Sequence, residues 1–287
     1  MTKARQSSIH LKGELERVLE KYQREDYLDT DPICVPHRYS EARDIEMSGF
    51  LSAMMAFGNV KSMLPAIERA IGWLGPSPVG RLLEIDEKML RRELAGFRYR
   101  WLGPEDIVAF LLCMRHAYVA RGGLEPLFGA GMKAGSQHTW GGLHSLLQGL
   151  RDSVGEGELQ RYGVRYLLPR PHGKGAYKRV HLFLRWMIRK DVIDFGIWTS
   201  ASPSQCIIPI DTHIARISTL LGLTGRKSRD GKMAQALTDE LVKLDPDDPI
   251  KYDFALTRLG ILGVCPRQPV EVTCEPCELR ACCKYWL

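Results

Sequence analysis

The stretch "IIPIDTHIARISTLLGL", residues 207–223, sets the frame for the rest of the chain. An apolar run stops at Pro209, and a helical pattern begins directly after Asp211. A carboxylate at this position can cap the helix that starts at Thr212, because free backbone N–H groups and the helix dipole both favour it. Helix capping alone would account for an aspartate at position 211. Whether Asp211 also has a chemical role must be judged from the motifs on either side of it in the sequence.

The composition indicates a folded globular protein rather than a disordered or membrane protein. The 287 residues are 45% hydrophobic and 26% charged, which allows one large domain or two lobes. No apolar run approaches the roughly 20 residues that span a bilayer, and the N-terminus has no apolar signal core. We therefore expect a cytoplasmic protein without a membrane partner. The formal net charge of +6 is a weak indication of a polyanionic partner.

Apolar residues recur at helical rather than alternating spacing, so we predict an all-α fold. "PEDIVAFLLCMRHAYVARGG", residues 104–123, has proline at its start and glycine at its end, as helices prefer. "DIEMSGFLSAMMAFG", residues 44–58, carries a stripe of small residues that suits a helix packed closely on all sides. The Gly-rich segment 122–157 is the hardest part of the chain to assign.

Upstream of Asp211, "LLPRPHGKGAYKRV" (residues 167–180, the hairpin segment) reads as a turn between two helices. Gly173 and Gly175 allow close backbone approach, and amides at a helix N-terminus favour a phosphate, with Lys174 and Arg179 adding positive charge. Between Glu158 and Asp191 the chain has nine Lys or Arg residues and no acidic one. The alternatives are a plain turn and a solvated basic face.

Downstream, the segment 265–283 (the cysteine loop) holds five of the eight cysteines. A C-x2-C pair with two outlying cysteines is typical of a metal or iron–sulfur site, and zinc is the alternative to a [4Fe-4S] cluster. Disulfides are disfavoured in a chain without an export signal. Cys282 competes with Cys283 for the fourth position. The predicted ligands are Cys265, Cys274, Cys277 and Cys283.

The order of hairpin segment, "PIDTHIARISTLLGL" and cysteine loop resembles the helix-hairpin-helix (HhH-GPD) DNA glycosylase superfamily, whose type member is endonuclease III. The resemblance covers roughly residue 41 to the C-terminus and is most specific at "DTHIAR" and in the cysteine loop. Within the superfamily the chain looks closest to a bacterial branch labelled as a domain of unknown function, DUF2400. That branch is similar to archaeal 8-oxoguanine glycosylases in its long gap between hairpin and aspartate.

The resemblance implies a bifunctional DNA glycosylase and abasic-site lyase that acts, as a monomer, on double-stranded DNA containing a damaged base. It implies Asp211 as the catalytic aspartate, Lys178 as the catalytic lysine, and a [4Fe-4S] cluster on the four cysteines. The hairpin is longer than the family's common form, and Lys178 lies one residue later than usual, so Lys174 is a rival nucleophile. The first cysteine interval is also eight residues rather than six.

By analogy the excised base is an oxidised purine, and the protein associates with the nucleoid. Such a base must be flipped from the stack, and an aromatic side chain could then stack on it, although core packing is the alternative for each candidate. A non-catalytic DNA-binding protein and a zinc-stabilised interaction protein are the competing functions. The aromatic candidates are Trp198, Trp101, Trp186 and Phe57.

The order of the motifs predicts two helical lobes with the catalytic pair at their junction. Residues 35–180 would form a helical-barrel lobe that ends in the helix-hairpin-helix. Residues 1–34 and 181–287 would form the second lobe, which carries the iron–sulfur loop.

Overall fold

The computed structural model describes residues 3–287, with side chains from His10 onward, and this part of the chain is helical. It contains three isolated β-bridges and no strand, so the predicted all-α class is confirmed. Short 3-10 turns join several of the helices. The α-helices are α1 (Lys3–Tyr22), α2 (Ala42–Met54), α3 (Val60–Ile71), α4 (Pro78–Glu84), α5 (Glu87–Glu93), α6 (Pro104–Arg121), α7 (Glu125–Gly129), α8 (Trp140–Asp152), α9 (Glu156–Gln160), α10 (Tyr162–Leu167), α11 (Lys178–Ile188), α12 (Thr212–Leu220), α13 (Gly231–Val242), α14 (Asp253–Ile261) and α15 (Glu271–Cys274).

Helix α6 begins and ends where its sequence predicts. Pro104 occupies its first turn, and the Asp106 carboxylate accepts a hydrogen bond from the Gly103 N–H at 2.8 Å. The helix ends at Gly122, whose φ of 82° is a left-handed conformation that glycine adopts without strain. Neither this helix nor another in residues 3–287 is long and apolar enough to cross a membrane.

Helix α2 lies in the middle of the core and is buried on all faces from Asp44 to Met54, as its small-residue stripe predicts. It packs against α11, and the absence of a side chain at Gly49 makes this contact close. A Cβ at Gly49 would lie 3.2 Å from the Met187 Cε atom. The helix that carries Lys178 is therefore held firmly against the centre of the protein.

The Gly-rich segment folds into α7 and α8, which pack against each other. A Cβ at Gly131 would lie 2.2 Å from the Gly141 carbonyl oxygen, closer than real contacts allow. The two glycines are thus required by the close approach of two backbones, a purpose that composition alone does not reveal.

A second set of contacts ties α14 to both α1 and α12. Arg258 of α14 is fully buried and forms an ion pair with Asp31 at 2.8 Å. The predicted boundary between residues 180 and 181 falls in the first turn of α11, the helix that packs against α2. The division into two lobes stays a prediction.

Candidate active site and cysteine loop

Lys178 and Asp211 line the same open cavity, which has a volume of about 800 Å³. Lys178 lies at the N-terminus of α11 and Asp211 at the N-terminus of α12, 33 residues further along the chain. The tertiary fold therefore brings the two predicted catalytic residues to one solvent-accessible space. Its other lining residues include Asp31, Phe57, Tyr166, Tyr177, Arg185, His213, Arg229, Asp253 and Arg258.

The Lys178 side chain is half-buried in the cavity wall. Its Nζ donates a hydrogen bond of 3.3 Å to the carbonyl oxygen of Ala56, in the segment that follows α2. Lys174, the rival nucleophile, lies in the exposed turn four residues earlier, outside the lining of this cavity. The geometry thus distinguishes the two lysines: Lys178 lines the cavity and Lys174 does not.

Asp211 caps α12, as its position in the sequence predicts. Its Oδ1 accepts hydrogen bonds from the N–H groups of His213 at 2.8 Å and Ile214 at 2.7 Å. Both bonds use the same oxygen, and within residues 3–287 no donor is bonded to Oδ2. The cap fixes the carboxylate in place and leaves one oxygen for a further partner in the cavity.

The turn of the hairpin segment is closed by Tyr177, which precedes α11 in a left-handed conformation with φ of 45°. The Tyr177 hydroxyl accepts a hydrogen bond from the Gly173 N–H at 2.7 Å and donates one of 2.6 Å to the Arg170 carbonyl oxygen. Gly173, predicted to hold a phosphate, therefore already has a partner for its N–H. In the described chain no side chain caps α11, so its first N–H groups stay open to an anion.

Arg179, predicted to bind DNA, has its guanidinium directed into the protein. Its Nη1 donates a hydrogen bond of 2.5 Å to the Met54 carbonyl oxygen, and its Nη2 donates one to the Tyr166 carbonyl oxygen. The guanidinium also lies over the Tyr166 ring, 4.0 Å from its centre. Burial lowers the pKa of Arg179 to about 10, so the group is still charged at neutral pH. Its hydrogen bonds tie the hairpin segment to the end of α2.

A buried charge network lies beneath the cavity and was not identified from the sequence. Arg185 of α11 is 2% exposed and pairs with Asp194 at 3.1 Å and with Asp253 of α14. The pKa of Asp253 is raised to about 6, chiefly by burial; Arg185 opposes this rise and the nearby Asp211 charge contributes to it. The one available signal was a charged residue inside the apolar run "HLFLRWMI", residues 181–188, which calls for a buried partner.

Two of the four aromatic candidates are buried, one is partly buried and one is exposed. Trp186 and Trp198 are buried, and the Trp198 indole donates to Glu46 at 2.8 Å, so both serve the core. Trp101 is 41% exposed and stacks on Phe57 with ring centres 5.1 Å apart. Phe57 itself lines the cavity, so an aromatic surface continues from the cavity to solvent.

The four cysteines predicted as ligands line one small apolar cavity beside α12 and α14. Cys282 is absent from that lining, and its thiol lies close to the Glu14 side of the molecule. Arg216 of α12 donates from Nη1 to the Cys265 Sγ at 2.8 Å and from Nη2 to the Cys265 carbonyl oxygen at 2.7 Å. As they stand, the described residues contain no group of three or more His, Cys, Asp or Glu side chains that could hold a metal ion.

Comparison with known proteins places most of the chain in one family. No curated protein and no solved structure matches the sequence. A family described as "Protein of unknown function (DUF2400)" matches residues 31–262, which include α2 to α14, Lys178 and Asp211. The match ends before Cys265, so the cysteine loop lies outside it. Because the match covers well over half of the chain, the protein belongs to the DUF2400 family.

Proposed function

We propose that the protein is a DNA base-excision glycosylase with abasic-site lyase activity, within the helix-hairpin-helix glycosylase superfamily. The observation that carries the proposal is the shared cavity, in which an amine and a carboxylate from distant parts of the chain face one space. At about 800 Å³, this cavity lies within the range of roughly 300–1,000 Å³ typical of small-molecule sites. That volume suits a single flipped nucleotide, since base chemistry on a duplex requires flipping.

In this proposal the Lys178 amine, once unprotonated, attacks C1′ of the deoxyribose, and the bond from C1′ to the base breaks with the electron pair leaving on the base. The base takes up a proton as it departs. Positive charge develops on the sugar during this step, and the Asp211 carboxylate, held by its two backbone N–H bonds, stabilises it electrostatically.

The covalent intermediate then allows the strand to be cut. Opening of the sugar ring converts the Lys178 adduct to a Schiff base. Loss of a C2′ proton expels the 3′ phosphate by β-elimination, and water releases the lysine. We favour an oxidised purine as the excised base by analogy alone. A monomer acting on chromosomal DNA, and hence located at the nucleoid, would fit this activity.

The hairpin segment would hold the DNA backbone next to the cavity. Arg170 and Lys174 are exposed in the turn, and the open N–H groups of α11 lie beside Lys178. Phosphate neutralisation by such residues supplies most of the sequence-independent affinity for DNA. Gly173, Lys174 and Gly175 are the predicted DNA-binding residues of this turn that are exposed, although the Gly173 N–H is already bonded to Tyr177. Arg179 would act by positioning the hairpin.

We further propose that Cys265, Cys274, Cys277 and Cys283 hold a [4Fe-4S] cluster, with zinc as the alternative. All four cysteines line one apolar cavity, and four cysteine thiolates are the usual ligands of such a cluster. The thiols would adjust on binding, because loops that bind structural metals form together with their metal. The cluster would stabilise the loop, and Arg216 would join that loop to the helix that begins at Asp211.

One observation favours a second candidate, a DNA-binding protein without catalysis. Asp211 already serves as a helix cap, and Lys178 Nζ already has a carbonyl partner. In that case both residues would be structural and the cavity would accept an extruded base without reacting. An interaction protein stabilised by zinc is the third possibility.

The test is incubation of the purified protein with duplex oligonucleotides that carry 8-oxoguanine, an abasic site or no lesion. The proposal predicts release of the damaged base and strand cleavage at the abasic site, with the intact duplex left uncut. Binding to all three duplexes without base release or cleavage would support the non-catalytic alternative. No binding to any duplex would exclude both DNA functions.

A further inference from the structure

A second basic segment lies directly beside the hairpin segment, although 43 residues (181–223) separate the two in the sequence. It is the loop "TGRKSRD", residues 224–230 (the basic loop), between α12 and α13. Its three cationic side chains, Arg226, Lys227 and Arg229, are exposed. Arg229 also lines the cavity that contains Lys178 and Asp211.

Backbone contacts hold the basic loop against the hairpin turn. Gly175 and Asp230 form an antiparallel β-bridge, and the Gly231 N–H donates a hydrogen bond of 3.1 Å to the Lys174 carbonyl oxygen. A Cβ at Gly231 would lie 3.1 Å from the Gly175 carbonyl oxygen, so the two backbones are in close contact. The juxtaposition is therefore part of the fold and does not depend on flexible side chains.

Asp230 fixes the shape of the basic loop and neutralises only one of its charges. Its Oδ1 accepts a hydrogen bond from the Met233 N–H at 2.9 Å and so caps α13, while its Oδ2 pairs with Arg226 at 3.2 Å. Within residues 10–287, whose side chains the structure describes, no ion pair involves Lys227 or Arg229. Both cations thus stand exposed and unneutralised, and Arg229 lines the cavity.

We propose that the basic loop is a second phosphate-binding element, which contacts the DNA strand through Lys227 and Arg229 next to the phosphate held by the hairpin segment. The inference rests on the proposed function, because it takes the polyanion to be DNA. Phosphates follow one another along a strand at about 3.4 Å of helix rise, so two adjoining basic segments can hold neighbouring phosphates. Arg229 would bind closest to the flipped nucleotide, since it alone of the three lines the cavity.

The experiment compares the salt dependence of DNA binding for three proteins by fluorescence anisotropy. The labelled duplex carries a tetrahydrofuran abasic-site analogue, and affinity is measured over a series of potassium chloride concentrations. The variant Lys227→Ala/Arg229→Ala is compared with wild type and with the control Lys12→Ala/Lys243→Ala. The control removes the same charge beyond the other end of α13, a helix roughly 18 Å long, where Lys12 lies 3.9 Å from Asp245.

Each phosphate contact adds about 0.9 to the slope of log affinity against log salt, so the slope should fall by about 1.8 in the basic-loop variant. Affinity at about 0.1 M salt should fall at least about 10-fold, and the control should match wild type. Wild-type binding with the same slope in all three proteins would overturn the role of the basic loop alone. Absence of salt-dependent binding by wild type would overturn the proposed function, and this inference with it.

Discussion

Residue spacing marks both the hairpin segment and the cysteine loop, but it predicts which side chains line a cavity better in the cysteine loop than in the hairpin segment. In the cysteine loop, four residues spread over 19 positions line one cavity, and the adjacent Cys282 does not. In the hairpin segment, Lys178 lines the cavity that it shares with Asp211, while its neighbour Arg179 donates to backbone carbonyls inside the protein. Neighbours in sequence thus separate in both segments, whereas the cysteines selected by their spacing converge on one cavity.

The difference has a physical cause. Cysteine thiols that bind one metal centre must lie close together, so the spacing of the cysteines in the sequence already describes how the loop folds locally. The direction of a side chain on a helix depends on how that helix is rotated against its neighbours. Helix α11 is set by its contact with α2, which no local pattern in residues 167–180 describes. Three sets of variants test these assignments.

The largest effect is expected in the cysteine loop. Cys283→Ser should abolish iron binding, because it removes one of the four thiols that line the shared cavity. Cys282→Ser is the matched control and should retain the full iron content. Iron and zinc analysis of anaerobically purified protein, with absorbance near about 400 nm for an iron–sulfur cluster, provides the measurement. One zinc and no iron in wild type, or iron kept by Cys283→Ser but lost by Cys282→Ser, would contradict the assignment.

The next effect concerns Asp211, whose capping role is visible and whose catalytic role is proposed. Asp211→Asn keeps an oxygen that can accept from His213 and Ile214 but removes the charge. Base release under single-turnover conditions should slow by about 10²-fold or more, the scale of losing one strong electrostatic stabiliser. Thermal unfolding should change little. Near-normal turnover with a stability loss of about 1 kcal/mol would mean that Asp211 only caps the helix.

The smallest effect is expected for two arginines of the hairpin segment. The side chain of Arg179 points into the protein, and that of Arg170 is exposed. Arg179→Ala should lower the free energy of unfolding by about 2 kcal/mol, because two partly buried carbonyl oxygens lose a charged donor. Its matched control, Arg170→Ala, changes an exposed side chain and should instead lower the salt slope of DNA binding by about 0.9. Chemical denaturation and anisotropy measure the two quantities. The interpretation of Arg179 is wrong if the two variants exchange these outcomes.

Much of the fold was predictable, because helix ends carry local signals such as Pro104, Gly122 and the cap at Asp211. The pairing of Lys178 with Asp211 in one cavity was predicted through a family resemblance, and the family match covers both residues. What the sequence did not reveal depends on contacts between distant segments. The network of Arg185, Asp194 and Asp253 and the basic loop beside Gly175 are assembled only when the helices pack.

Borohydride trapping on a duplex with an abasic site tests the proposed role of Lys178 as a nucleophile. A Schiff base between lysine and sugar is reduced to a stable protein–DNA adduct, so the adduct marks the reacting amine. Wild type and Lys174→Gln should form the adduct, whereas Lys178→Gln should form none while still binding DNA, since one phosphate-type contact among many is lost. An adduct that persists in Lys178→Gln and disappears in Lys174→Gln would move the nucleophile to the exposed turn. An adduct that persists in both variants would contradict a lysine nucleophile from the hairpin segment.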